Sequence, residues 1–476
     1  MMMLQIRMRT WWCLAITMAV AASSCGQTQE PTVSIEQAVE KYIVEPTNTR
    51  AVELIKILDQ YGELSHTPYL LDFARMSGAN SIRSQALAAV AKIQARELGG
   101  TPLEIGSDIN GAYVELGGWI LDSSPPPAPN YQAFKAVVYG KVEPAFSQLI
   151  GDVDDYATLV GIQWGGVAFG GIPELDNPAR IPPSEAGWAN DDELVYAVAV
   201  GSTVVAYPRR VIGKHELSND SVVDPVSGET LLFSVSFCSL CRTAVAFNRV
   251  VDGQTLSFKT SGLLLNANKV MVDDQTGSMW QQATGHAISG PLAGSSLELL
   301  VTQTMGFEQF KQEYEADGAL IVDLPEPYIV DPETGTLTAY DYQDAEPLAD
   351  YVHGGRLWFP VAGTSGVGDP LSEVWTALVD GLPLAIDVEQ LEARGSGQVT
   401  VGARTLLIIS VGVSAQLLDI TGMAPERVAE LELLASTGGG SGVKGVAVSE
   451  FDLNREAIFR WLSVHPGTTR WPERDN

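Results

Sequence analysis

The chain has 476 residues, of which 45% are hydrophobic and 18% charged, and a formal net charge of −29. That length allows two or three domains with substantial cores, since domains usually hold about 100–200 residues. The acidic excess excludes nonspecific attraction to nucleic acid or to anionic headgroups, because it repels both.

At the N-terminus, Arg7 and Arg9 precede the apolar run from Trp11 to Ala22, and small Ser23 and Ser24 follow it. A basic start, a short apolar stretch and small residues at its end read as an export signal over residues 1–24. Cys25 closes that stretch in the manner of a bacterial lipobox, which predicts diacylation of Cys25 and a lipidated tether over 25–32. Ala22 stands where leucine is usual, so plain secretion is the alternative. Gly26, rather than an aspartate, follows Cys25 and points to the outer membrane. The expected location is the bacterial cell envelope, with the membrane met only through the lipid. The run is too short for a spanning helix, and no later segment approaches about 18 unbroken apolar residues.

Residues 33–150 read as a helical region. Apolar residues recur at three- and four-residue steps from Ala51 to Tyr61 and from Ser81 to Ile93, with a third candidate from Pro68 to Arg75. Pro125-Pro-Pro-Ala-Pro129 is an extended connector, and Tyr131 to Ile150 holds one or two helices.

From residue 160 to 320 the texture is β. Two short runs flank Gly201-Ser202, two more flank Asp252-Gly253, and both junctions are tight-hairpin signals. Gly306 to Glu315 reads as a helix, and Asp323 to Asp350, rich in proline and acid, reads as a surface connection. A second β section over 350–476 ends in a closing helix from Asn454 to Leu462, after the flexible Ser436 to Gly442 loop. It echoes the first: the run from Glu193 can be laid on the run from Glu373, which makes two related β halves. The expected class is therefore α+β, with N-terminal helices before a mainly antiparallel sandwich or barrel-like body.

Cys238 and Cys241 are the only cysteines outside the first 25 residues. Around them, Gly170-Gly-Ile-Pro-Glu-Leu-Asp-Asn-Pro, His215-Glu-Leu-Ser-Asn-Asp220, Phe237-Cys-Ser-Leu-Cys-Arg-Thr, Ser261-Gly-Leu-Leu-Leu-Asn266 and Asp274-Gln-Thr-Gly-Ser-Met-Trp-Gln281 occur in order. With Ser289-Gly-Pro-Leu-Ala-Gly294, these motifs resemble the bacterial domain-of-unknown-function family 3179 over roughly 160–305, and less fully over the later β section. The resemblance implies an exported, mostly β domain and carries no particular reaction with it. Family members commonly have proline between the cysteines and glycine after them, where this chain has Ser239 and Arg242.

Three readings fit the thiol pair. An oxidising compartment favours a local disulfide closing a turn. The C-x-x-C spacing also suits a redox couple, although such couples usually open a helix and the flanks here are β-like. Two thiolates are soft ligands suited to copper or zinc, with His215 as the best partner and Met271 as a thioether candidate. Glu216, Asn219, Asp220, Arg242, Asn266, Trp280 and Gln281 are the candidate surroundings, drawn from the same motifs. Turn chemistry alone accounts for Asp273-Asp274. The functional expectation is an exported lipoprotein whose C-x-x-C site binds metal or exchanges thiols. The alternative is a cell-surface binding or scaffolding protein stapled by the disulfide, and a hydrolase using Glu216 and Asp220 ranks below both.

Overall fold

The structure, a computed structural model, describes residues 33–472 apart from 326–328, 331–336, 339–341, 343–347, 349–350, 352–353, 365–366, 437–450 and 452. The expected export signal, Cys25, most of the proline-rich connection and most of the Ser436 to Gly442 loop lie outside the described residues.

Helices fill residues 35–161: Ile35–Val44, Asn48–Tyr61, Thr67–Met76, Asn80–Leu98, Ile109–Ser123, Tyr131–Gly140, Pro144–Gly151 and Tyr156–Gly161. Their starts follow capping chemistry. Ser34 and Gln37 form a reciprocal capping box, and Thr47, Asp108 and Asp155 each accept from a backbone N–H in the first turn. The Ile109–Ser123 helix has weak periodicity and a Gly117-Gly118 pair. A Cβ on Gly117 would lie 2.3 Å from Pro360 Cγ, so the glycine admits a later segment of the chain against the helix.

A polar knot ties these helices to the β body. Lys135 Nζ donates to Asp72 Oδ1 at 3.2 Å and to the Ile162 carbonyl at 2.7 Å, and the Tyr131 hydroxyl donates to Asp72 Oδ2 at 2.9 Å. Lys135 is 0% exposed and Asp72 3%. Ile162 opens the first strand, so this buried pair fixes where the sheet begins.

Three five-stranded sheets follow. The first runs Ile162–Trp164, Phe258–Leu265, Asn268–Asp273, Met279–Gln281, His286–Ser289, all antiparallel. One face, through Leu263, Leu265, Val270 and Val272, joins the helical core. The other, through Phe258, Met271 and Trp280, packs on Leu217 and Phe247 of the second sheet. That second sheet is ordered Leu299–Leu300, Thr243–Asn248, Thr230–Cys238, Leu217–Val223, Leu175–Asp176. The third is ordered Thr302–Gly306, Leu194–Val200, Thr203–Pro208, Leu320–Val322, Arg180–Ile181, and packs on the second through Tyr196, Val198, Phe233 and Phe237. Each sheet is open, so the body is layered and holds no closed barrel among the described residues.

The two β halves repeat one topology. In the first, the Leu194–Val200/Thr203–Pro208 hairpin is followed by the helix Arg209–His215 and a three-strand meander from Leu217. In the second, the Glu373–Val379/Leu382–Asp387 hairpin is followed by the helix Val388–Arg394 and a meander from Ser396. Each half then returns a strand–helix–strand unit to its hairpin. Thr302–Gly306 pairs antiparallel and Leu320–Val322 parallel in the first, and Asn454–Ala457 and Thr469–Trp471 do the same in the second. Thr203 and Leu382 both follow a two-residue turn, Gly201-Ser202 and Asp380-Gly381. Leu194 therefore matches Glu373, one residue away from the expected Glu193 match, a shift that exchanges inward and outward faces. The expected closing helix starts later than anticipated, at Ile458, because Asn454–Ala457 is a strand.

The halves meet reciprocally. Thr302–Gly306 touches the Ser414–Asp419 strand, Asn454–Ala457 touches the Thr243–Asn248 strand, and the two return strands touch each other. These exchanged contacts define a pseudo-twofold relation between the halves.

Candidate functional site

The thiols occupy a turn at which the two halves differ. In the second half, Val411 and Ser414 pair across a two-residue Gly412-Val413 turn. At the matching position, Cys238 and Thr243 pair across four residues, Ser239-Leu240-Cys241-Arg242. The enlarged turn is closed by the Cys241 and Arg242 amides, which donate to the Cys238 carbonyl at 3.1 and 2.8 Å. Arg242 takes φ +60°, the left-handed conformation that glycine adopts without strain. The two sulfurs lie at disulfide distance, with Cα atoms 5.2 Å apart.

Four parts of the chain enclose this turn. Cys238, Leu240 and Cys241 pack with Leu264 and Ala267 of the first sheet, Leu357, Phe359 and Val361 of the segment between the halves, Ala457 and Phe459 of the second half, and Val114 of the Ile109–Ser123 helix. Ala457 N–H donates to the Cys241 carbonyl at 2.9 Å. Arg242 reaches across to Glu373 Oε1 at 3.2 Å, and Arg455 holds Glu373 Oε2 at 2.6 Å. Burial works to raise the Glu373 carboxyl, but Arg455 and Arg242 outweigh it and hold it below its ordinary value.

The sulfurs have different neighbours. Cys241 is 0% exposed, and Asn268 Nδ2 donates to its Sγ at 3.3 Å. The same amide donates to Gln282 Oε1 at 2.7 Å, and Gln282 Nε2 donates to the Ser236 carbonyl at 3.0 Å. Cys238, 2% exposed, lines a cavity of about 410 Å³. Its walls include Leu263, Leu264, Trp358 and Phe359, and its polar members include Ser239, Glu216, Thr260 and Lys269. Lys269 Nζ donates to Glu216 Oε2 at 3.0 Å and to Thr260 Oγ1 at 2.9 Å, while Ser239 Oγ donates to Glu216 Oε1 at 2.6 Å. Burial lowers the Lys269 amine, and Glu216 partly restores it.

Glu216 caps the Arg209–His215 helix at φ +57°, where its counterpart in the second half is Gly395. A glutamate holding a conformation that suits glycine carries its carboxylate to the thiol turn.

The family described as "Protein of unknown function (DUF3179)" matches residues 169–467. The chain belongs to this family. The match takes in both β halves and extends well past the 160–305 stretch on which the resemblance rests most firmly. No curated protein and no solved structure matches the chain.

Of the residues singled out from sequence, Glu216 and Arg242 lie at the thiol turn. Asn266 forms, with Ala267, the two-residue turn beside the sulfurs, both at positive φ. His215 directs Nδ1 to the Pro173 carbonyl at 2.9 Å and Nε2 to the Tyr342 hydroxyl at 2.7 Å, and burial lowers its pKa. Met271 and Trp280 are fully buried in another apolar cluster, and the Trp280 indole N–H donates to Asp273 Oδ2 at 2.9 Å. Asn219 joins strands through Ser234 and Phe258, and Asp220 accepts from Tyr207 at 2.5 Å. Gln281 accepts from Thr284 at the far end of its strand. Among the described residues, no group of three or more His, Cys, Asp or Glu is placed to hold a metal. Sequence reading missed Lys269, Asn268, Trp358 and Phe359. The one signal was Lys269 itself, a lysine inside a strand whose every residue is buried.

Proposed function

We propose that the chain is an exported lipoprotein of the cell envelope whose Cys238 and Cys241 form a thiol–disulfide exchange couple. The asymmetry of the sulfurs carries the reading. Exchange needs one sulfur that an incoming thiolate can reach and a second that can leave as a thiolate. Cys238 borders a cavity, while Cys241 is enclosed and accepts a hydrogen bond from Asn268, which favours its charged form. In an oxidising envelope the resting state is the disulfide.

Equilibration in defined thiol buffers, followed by alkylation and mass analysis, tests this. An exchange couple titrates between about −120 and −270 mV, whereas a structural bond lies below about −300 mV. The second outcome supports the alternative, a cell-surface binding or scaffolding protein in which the bond staples the turn. The 2% exposure of Cys238 favours that alternative. Copper or zinc retained by the reduced protein and lost in Cys238→Ser would instead assign the pair to metal binding. Lipid anchoring through Cys25 predicts that Cys25→Ser moves the protein from the membrane to the soluble fraction.

A further inference from the structure

Resting on the exchange reading, we infer that the cavity beside Cys238 admits a low-molecular-weight thiol with an apolar body and excludes the surface cysteine of a folded protein. The first argument is reach. Cys238 is 2% exposed, so an attacking sulfur must enter the cavity to meet it. At about 410 Å³ the cavity is in the range of small-molecule sites, roughly 300–1,000 Å³, and is far too small for a folded surface.

The second argument is the lining. Ile172, Leu263, Leu264, Trp358 and Phe359 offer apolar and aromatic surface. The charges of Glu216 and Lys269 are turned on each other, and Ser239 and Thr260 are drawn into the same cluster. Lys214 also borders the cavity. Binding there is dominated by burial of a hydrocarbon or aromatic body, at about 25 cal/mol per Å² removed from water. Apart from Lys214, these walls offer little to a strongly hydrophilic anionic thiol.

The reaction balances without a further reagent. The thiolate of the first small thiol attacks Cys238 Sγ, forming a mixed disulfide. The Cys238–Cys241 bond breaks, and its electron pair leaves on Cys241 Sγ beside the Asn268 amide. A second small thiolate attacks the small molecule's own sulfur in that mixed disulfide and releases Cys238 as a thiolate. Two thiols become one small disulfide, the protein disulfide becomes two thiols, and the two protons released pass to Cys238 and Cys241.

The test measures reduction of the native disulfide by benzyl mercaptan, by glutathione and by reduced thioredoxin. Each rate is divided by that for an unstructured peptide disulfide with the sequence from Phe237 to Arg242. The expected order puts benzyl mercaptan at least tenfold above the other two after this correction. Trp358→Asp, at a position 47% exposed, lowers the benzyl mercaptan ratio several-fold and leaves the equilibrium potential unchanged. Equal corrected rates for all three reductants, or indifference to Trp358→Asp, overturns the pocket assignment while the exchange couple stands. A potential in the structural range sinks the couple itself, and the pocket assignment with it.

Discussion

Arg242 sets two residue-scale effects against each other. Its left-handed backbone costs a non-glycine residue about 1–2 kcal/mol, and its guanidinium is one of two that hold the partly buried Glu373 carboxylate. Removing one partner of a partly buried ion pair, with Arg455 still holding the carboxylate, costs about 1–3 kcal/mol. Arg242→Ala should therefore destabilise by about 2 kcal/mol, and Arg242→Gly by about 1 kcal/mol less, as read by urea unfolding. Asp72 gives a larger effect, because its removal leaves Lys135 charged, buried and unpaired: Asp72→Ala should cost about 3–5 kcal/mol. Replacing both partners, Asp72→Leu with Lys135→Met, should cost less than the single change. His465 gives a pH dependence. Burial first, and Arg460 second, lower its pKa from 6.5 to about 4. The unfolded chain then binds more protons between those values, so stability present at pH 7 is lost as pH falls through that window, and His465→Gln flattens this part of the profile. At this scale the cysteines, Glu216 and Arg242 were legible from local motifs. Lys269 and Asn268 act through partners 27 to 53 residues away, at Cys241 and Glu216, and no local pattern encodes that distance.

The thiol turn can be judged as an element because the protein contains its counterpart. Replacing Ser239-Leu-Cys-Arg242 by Gly-Val, with Cys238→Val, rebuilds the turn of the second half between strands that already pair. The cross-link contributes about 2 kcal/mol if it acts through loop-closure entropy over so short a loop. We expect the exchanged turn to fold, with destabilisation of about 2–4 kcal/mol once the Arg242 contact is included, and to lack the proposed thiol exchange. A loss near 8 kcal/mol in urea unfolding would show instead that the enlarged turn is the keystone of the core around it. Hairpins were the most readable elements: Asp252-Gly253 announces its turn through two residues that both take positive φ. The Ile109–Ser123 helix was not singled out, because Gly117 answers to Pro360, some 240 residues later, and not to the helix itself.

Across the whole molecule, duplication explains why the family match spans both halves: neither completes the site. The core around Cys238 and Cys241 draws Leu371, Ala457 and Phe459 from the second half, and Glu373 is the acidic partner of Arg242. The return strands are equally shared, since Thr304 N–H donates to the Leu453 carbonyl at 3.1 Å and Gly306 N–H to Ser414 Oγ at 2.8 Å. The echo between the runs at Glu193 and Glu373 was visible in the sequence, but aligning Gly201 with Gly381 misplaced it by one residue. The turn geometry sets Asp380, at φ +50°, in the place of Gly201, so a positional demand met by two residue types hid the register. A chain ending at residue 350 would expose the Cys241 carbonyl, the Arg242 guanidinium and the apolar flank of the thiol turn together. Such a chain should lack a cooperative unfolding transition and elute as aggregates, while the full chain unfolds the two halves in a single step. A monomeric truncated chain with a sharp transition of its own would show that the first half is an independent unit and that the second only decorates it. The reciprocal contacts argue against that outcome, because every strand end left bare by the cut is one that the other half now satisfies.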